Sequence, residues 1–331
     1  MFLRIFKGTD PGVIVLLILT LGLMWIGAFL NPQSGGSFIY ETRPMPLYSL
    51  LKFLLGGKQL AGTIFIFILV PVILFLISTF NTTVFFINER TFLPVVLYLL
   101  LTAVFPVNQK LNPVLPAALF LLMALMRIMD AYRKQGVAYN FFDAGILISI
   151  GSLFYANLIW FGILLFAGIA MLRTINFSEA ALSLLGLATP FIVVTGLYYV
   201  VDKDLLVLLS DFTENLFKSN PGYVFDRLTV VALIYAALIL LISLGFLSNQ
   251  LNVKKIKARK TYFLLFWVFG ISLLLYFFLP SVSIEIMWLT GIPSCYIMAH
   301  YFVFVKKKLV PEIFFSGLFV IVLLIQIMNI F

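Results

Sequence analysis

Acidic and basic side chains are scarce in this chain, so the few that stand beside long apolar runs carry most of its chemical information. Glu41 and Arg43 lie two apart in Tyr40-Glu41-Thr42-Arg43-Pro44. A carboxylate can take a proton from an acceptor hydroxyl, and a guanidinium can grip a phosphate through two parallel hydrogen bonds. Glu41 is therefore a candidate base and Arg43 a candidate phosphate ligand. A solvated loop with a local ion pair is the plainer alternative. Glu285 stands at the edge of an apolar run, followed by Trp288. An ionisable group there is costly unless water or a partner reaches it, which makes it a second candidate for substrate binding. Lys218 and Arg227 flank an amphipathic segment. They can hold a phosphate head group, or balance the five acids around them, Asp202, Asp204, Asp211, Glu214 and Asp226. Asp130 and Asp143, with Arg127 and Arg133, suggest a structural ion-pair cluster. His300 sits deep in an apolar run; a hydrogen-bonded buried imidazole is its default role and a proton relay its functional one.

Other chemistry lacks support. One cysteine, Cys295, and one histidine exclude an internal disulfide, a cysteine-based metal site and a histidine-cluster metal centre. There is no P-loop, dinucleotide fingerprint, GxSxG or HExxH. No cofactor is specified.

Hydrophobic residues make up 63% of the 331 positions and charged residues 11%, against roughly 25% charged in an ordinary soluble domain. Soluble cores cannot bury that much apolar surface. The composition excludes a soluble enzyme, a nucleic-acid binder, a disordered chain and an outer-membrane barrel, whose strands alternate in short segments. It predicts an all-α polytopic transmembrane bundle whose direct partners are membrane lipids. A spanning helix needs about 20 mainly apolar residues. Eleven candidates follow: 11–30, 62–80, 92–105, 114–129, 142–154, 158–172, 182–201, 228–246, 262–279, 284–303 and 312–330. Asp10 is the expected N-cap of the first, with Pro11 at its first helical position. That first run lacks a small-residue cleavage site and should stay as a membrane helix. The third to sixth candidates are short, and could be helices buried in protein or two re-entrant hairpins. Dropping one pair leaves nine spans and dropping both leaves seven, with parity unchanged.

Lys and Arg set the orientation, because cytoplasmic loops are enriched in both. With the N-terminus in the cytoplasm, 15 of the 22 fall inside: Arg4, Lys7, Arg90, Arg127, Arg133, Lys134, Arg173, five in Lys254–Lys260 and three in Lys306–Lys308. The two clusters also read as anionic-lipid contacts. Arg43, Lys52, Lys58, Lys110, Lys203, Lys218 and Arg227 fall outside. Two outside segments, 46–55 and 205–217, place leucines on one stripe and fit helices lying in the interface. The whole chain reads as one membrane domain: 1–201 with a first outer loop at 31–61, an outer amphipathic loop at 202–227, and a four-helix part at 228–331.

Three stretches carry a family resemblance: Glu89-Arg90-Thr91-Phe92-Leu93-Pro94 running into Leu97-Tyr98-Leu99-Leu100, Phe142-Asp143-Ala144-Gly145 running into Ser152-Leu153-Phe154-Tyr155, and Leu185-Gly186-Leu187-Ala188-Thr189-Pro190. With the opening span they resemble an uncharacterised family of polytopic inner-membrane proteins of Bacteroidota, over roughly residues 1–201. The resemblance implies the bacterial inner membrane and carries no functional residues. The layout also resembles, more remotely, the GT-C glycosyltransferases, which place a catalytic carboxylate and interfacial helices after one long span. That resemblance implies Glu41 as base and a polyprenyl-phosphate-linked sugar as substrate at the outer leaflet, in cell-envelope biogenesis. The usual acidic dipeptide and the soluble C-terminal domain are missing. Two other functions stay open: a non-catalytic subunit or assembly factor of an envelope or secretion complex, and a lipid-linked-sugar translocator.

Overall fold

A computed structural model describes residues 2–31, 40–41, 43–132, 138–172, 177–202, 204–219, 222–307 and 309–330, and every regular element among them is helical. Arg133, Lys134, Arg173, Lys203 and Lys308, as well as Thr42 and residues 32–39 of the first loop, lie outside the described residues. The helices are α1 (Phe2–Lys7), α2 (Pro11–Leu30), α3 (Pro46–Leu54), α4 (Gln59–Val84), α5 (Leu93–Thr102), α6 (Val114–Asp130), α7 (Ala138–Ser152), α8 (Ile163–Leu172), α9 (Phe177–Val200), α10 (Leu205–Phe217), α11 (Arg227–Gln250), α12 (Ile256–Phe278), α13 (Met287–Phe304) and α14 (Leu309–Met328). Tighter 3-10 turns at Ala156–Gly162 and Ile284–Ile286 lead into α8 and α13.

Among the described residues, seven helices are long and apolar enough to cross a membrane: α2, α4, α9, α11, α12, α13 and α14. The protein is thus helical and of membrane type. α2 begins where its sequence dictates, at Pro11, whose missing N–H falls among the donors a helix start leaves unpaired. Asp10 occupies the cap position but its side chain caps nothing. The short central segments stay short: α5 has 10 residues, α6 17 and α7 15. Burial inside protein permits this. All ten residues of α5 are buried, as is nearly all of α13 beside it. Phenols cross-tie this core, because a buried O–H must find an acceptor. Tyr98 donates to the Trp288 carbonyl at 3.0 Å and Tyr296 to that of Ile77 at 2.7 Å.

α13 and the turn before it run about 30 Å from Glu285 to Phe304, and so define two ends of the bundle. α3 and α10 lie at the Glu285 end. At the other end Lys254 stands over the Tyr262 and Phe304 rings, and Lys7 donates to the Val303 carbonyl at 3.3 Å. The leucine stripe of α3 points away from the protein: Leu50 and Leu54 are exposed, while Tyr48 is the inward residue. In α10 the stripe divides, with Leu208 and Leu216 buried and Leu209 exposed. Helix α1 was not expected from the sequence; its Leu3 and Phe6 are buried against the bundle.

α7 and α9 approach backbone to backbone, which only small residues allow. A Cβ added at Gly145 would come to 2.8 Å from the Ser183 carbonyl oxygen, and one at Gly186 would collide with that of Phe142. Gly196, on the same helix as Gly186, has open space around it. Gly186→Ala should therefore cost about 1–3 kcal/mol, whereas Gly196→Ala should gain about 0.5–1 kcal/mol through helix propensity. Thermal melts of the two purified variants check the pair.

Candidate functional site

The site grows from the link between α7 and the following turn, Tyr155-Ala156-Asn157. Here the helix has ended and the backbone groups of the loop need partners. Ala156 N–H donates to Glu41 Oε1 at 3.0 Å. The other oxygen of Glu41 accepts from the Met45 N–H at 3.4 Å, at the start of α3. Leu47 N–H bonds the Leu153 carbonyl at 3.1 Å. One carboxylate thus pins the first loop and α3 onto the α7 link. Tyr40 and Tyr48 fasten the same loop to residues 107 and 111, donating to the Val107 and Leu111 carbonyls at 2.9 and 3.2 Å.

Tyr155 joins the two candidate acids. Its backbone neighbour holds Glu41, and its hydroxyl donates to Glu285 Oε1 at 3.1 Å. The same oxygen of Glu285 accepts from the Ser283 N–H at 2.9 Å. Glu285 is fully buried, and its Oε2 has no partner among the described residues. Burial pushes the Glu41 carboxyl from its ordinary 4.5 up to about 8. The two backbone N–H bonds and the Lys52 ammonium oppose that rise, and Glu285 adds to it. Residue 41 as a whole is only half-buried; its carboxyl is the enclosed end.

Arg43 turns the other way. Its Nη1 meets Asp211 Oδ1 at 2.7 Å and its Nε lies 3.6 Å from Glu214 Oε2. The local Glu41–Arg43 pair, the plainer reading of the spacing, is therefore replaced by a pairing of the first loop with helix α10. Asn215 holds Arg43 in place twice: its amide donates to the Arg43 carbonyl at 2.7 Å and its Oδ1 accepts from the Arg43 N–H at 3.1 Å. A cavity of about 400 Å³ opens beside Arg43, walled by Pro46, Ser49, Tyr198, Asp204 and Asp211. Lys218 sits 3.4 Å from Glu214, so it balances an acid of its own loop. Arg227, the first residue of α11, is exposed and makes no ion pair among the described residues.

The structure thus brings Glu41 and Glu285 together around Tyr155, sets Arg43 next to them on the α10 side, and leaves Lys218 and Arg227 outside. Tyr155, Asn157, Asn215 and Ser281 are the residues that sequence reasoning passed over. Asn157 reaches Ser281 Oγ at 3.3 Å and the Asn215 carbonyl at 3.4 Å. The available signal was a polar tripeptide between two short apolar runs. Away from this site, Arg127 Nε lies 3.9 Å from Asp143, half of the expected cluster. His300 departs from its default: it is buried among Phe246, Tyr262 and Phe304, and neither ring nitrogen has a partner among the described residues. No group of His, Cys, Asp and Glu able to hold a metal occurs among the described residues.

The raised Glu41 carboxyl links stability to pH. Between about pH 5 and 8 the folded protein holds a proton that the unfolded chain has released, so raising the pH through this window removes stability. The melting temperature of the native protein should fall relative to Glu41→Gln across that window and run parallel to it above about pH 8. Melting curves at pH 5, 6, 7, 8 and 9 test this.

No curated protein and no solved structure matches the chain. Residues 45–331 match a family of unknown function (DUF6427), a stretch that contains Tyr155, Asn215 and Glu285 and starts just after Glu41 and Arg43. The chain belongs to that family.

Proposed function

We propose that the protein is an inner-membrane enzyme of GT-C-like layout that transfers a sugar from a polyprenyl-phosphate carrier at the outer leaflet, with Glu41 as the base. The observation that carries this reading is the meeting of Glu41, Tyr155 and Glu285 under two surface-lying helices, at the end of the bundle opposite Lys254 and Lys260. Eleven passes with the N-terminus in the cytoplasm suit it. α5, α6, α7 and the 156–172 segment then count as short crossings, and residues 40–48, 107–111, 153–157 and 281–285, which contact one another, share one side.

In this reading the acceptor hydroxyl gives its proton to Glu41 as its oxygen bonds the anomeric carbon. The bond from that carbon to the carrier phosphate breaks, and the phosphate leaves as an anion. Arg43 neutralises it, releasing Asp211 and Glu214; the guanidinium is about half exposed, so water can replace the partly covered acids at modest cost. Lys218 and Arg227 remain auxiliary phosphate ligands reached by movement of the α10 loop, and Glu285 orients the sugar through Tyr155. An apolar groove of about 420 Å³ between α11, α12 and α13 begins at Ile284, Ile286 and Met287, next to Glu285 in sequence. Of its hydroxyls, those of Ser272, Thr290 and Ser294 are turned back onto helix carbonyls, leaving the Tyr276 phenol as the remaining one, which suits a largely hydrocarbon chain.

A second reading rests on the same carboxylate. Both Glu41 oxygens accept backbone N–H groups, as a structural clamp would, and a non-catalytic subunit or assembly factor needs only that clamp. The two readings part in one assay. Vesicles containing the purified protein receive a polyprenyl-phosphate-linked sugar, and loss of the carrier is followed. Glu41→Gln should lower the rate at least about 100-fold with the melting temperature retained. The native rate should rise with pH to a plateau above about 8. Unchanged turnover in Glu41→Gln, or none in the native protein, sinks the enzyme reading. The orientation has its own check. In a Cys295→Ala background, a cysteine at Lys52 should label from outside intact cells and one at Lys257 only after permeabilisation.

A further inference from the structure

At the end of the bundle remote from Glu41, α1 does something its six residues do not announce. Leu3 and Phe6 are buried, and the Phe6 ring packs 5.6 Å from that of Phe315. The Leu3 N–H donates to Glu312 Oε1 at 3.1 Å, and Lys7 Nζ to the Val303 carbonyl at 3.3 Å. α1 is thereby tied to α14 and to the last turn of α13, and the three enclose a cavity of about 370 Å³. Arg4, Lys7, Lys307 and Glu312 line it, with Val305 and Pro311 as apolar walls. Three cations line the cavity beside one carboxylate, Glu312, which already accepts the Leu3 N–H, and a second acid, Glu89, acts on Lys7 from outside the lining, so positive charge remains in excess. Neither Arg4 nor Lys307 has an ion-pair partner among the described residues. Uncompensated charge of one sign in a walled cavity concentrates counter-ions.

We propose that this cavity binds the phosphate of an anionic phospholipid from the leaflet on the Lys254–Lys260 side. The choice of a lipid over a free anion rests on the rim. Ile5, next to Arg4, is 50% exposed, and Leu309, two residues beyond Lys307, is 75% exposed. These side chains ask for hydrocarbon contact within a few ångströms of the cations. The volume, about a dozen waters' worth, exceeds what a bare phosphate needs. Lys7 supplies a cation held in one place by its carbonyl partner, Arg4 a planar fork for two phosphate oxygens, and Lys307 a mobile third charge. Basic pockets at helix ends on the cytoplasmic side are the usual setting for such recognition. A bound lipid would cement α1 to α13 and α14, joining the first residues of the chain to its last helices.

The test uses the full-length protein in mild detergent, with short-chain phosphatidylglycerol, short-chain phosphatidylcholine and inorganic phosphate as separate probes. Retained lipid is read by native mass spectrometry and binding by the shift in melting temperature. The native protein should hold one phosphatidylglycerol in preference to phosphatidylcholine. Arg4→Gln/Lys307→Gln should bind it about 25-fold more weakly, at roughly a fivefold loss per cation. Lys58→Gln/Lys110→Gln, at the opposite end, should bind as the native protein does. The single variant Lys307→Gln, in an exposed loop, keeps the test open if the double variant melts early. Equal retention by native and Arg4/Lys307 variants overturns the proposal, as does equal retention of the two lipids. Full competition by inorganic phosphate alone also overturns it, assigning the cavity to a soluble anion.

Discussion

Hydrocarbon offers no hydrogen bonds, and every break in a helix at membrane depth must find its partners inside the protein. This chain breaks its helices often around α5, α8 and α13. The packing answers each break with a side chain. Asn81 bonds the Glu89 carbonyl at 3.1 Å just past the left-handed Phe85 and Asn88. Asn108 and Gln109 reach the Ile284 and Met24 carbonyls at 3.2 and 2.9 Å. Gln326 bonds the Ala103 carbonyl at 2.6 Å, where α5 stops. The Asn81 bond is local, but Asn108, Gln109 and Gln326 reach carbonyls far away in sequence, and these three knit the bundle together. A core of long uninterrupted helices would have had no need of them.

The Glu41–Tyr155–Glu285 cluster is an extreme case of the same constraint. A loop that ends α7 presents backbone donors, and a carboxyl supplies the acceptor. The cost is an acid enclosed where its charge is poorly solvated, which is why its proton is held to about pH 8. Such a group is tightly placed and easily changed in charge, and both properties serve a proton-transfer site and a structural clamp alike. The Arg43–Asp211–Glu214 group a few residues away is of the opposite kind, an ion pair at the surface with an exposed guanidinium and partly covered acids.

Much of the architecture was legible because it depends on local pattern. Eleven apolar runs, the Pro11 start of α2 and both surface helices appear within a few residues of where hydropathy and helical spacing put them. The short runs were legible as short, but composition could not say whether they meet lipid or protein; α5 is wholly enclosed in protein, whereas α6, α7 and α8 keep exposed side chains such as Met123, Tyr139, Ile163 and Phe166. Partner choice was not legible. Arg43 is two residues from Glu41 and 168 from Asp211, yet it pairs with the distant acid. Ion pairing follows where loops are packed, and α10 brings its acids over Arg43 while Glu41 is drawn beneath by Ala156. His300 misled in the opposite direction: an aromatic cage on three sides surrounds it, and its nitrogens find no partner among the described residues.

That this is a helical membrane protein with few ionisable groups follows from apolar content and run length, which are properties of the residues in order. Which of those groups meet is a matter of three-dimensional packing. Glu41, Tyr155 and Glu285 are separated by more than a hundred residues at each step, and their proximity comes from how helices without hydrogen-bonding surroundings must close upon one another.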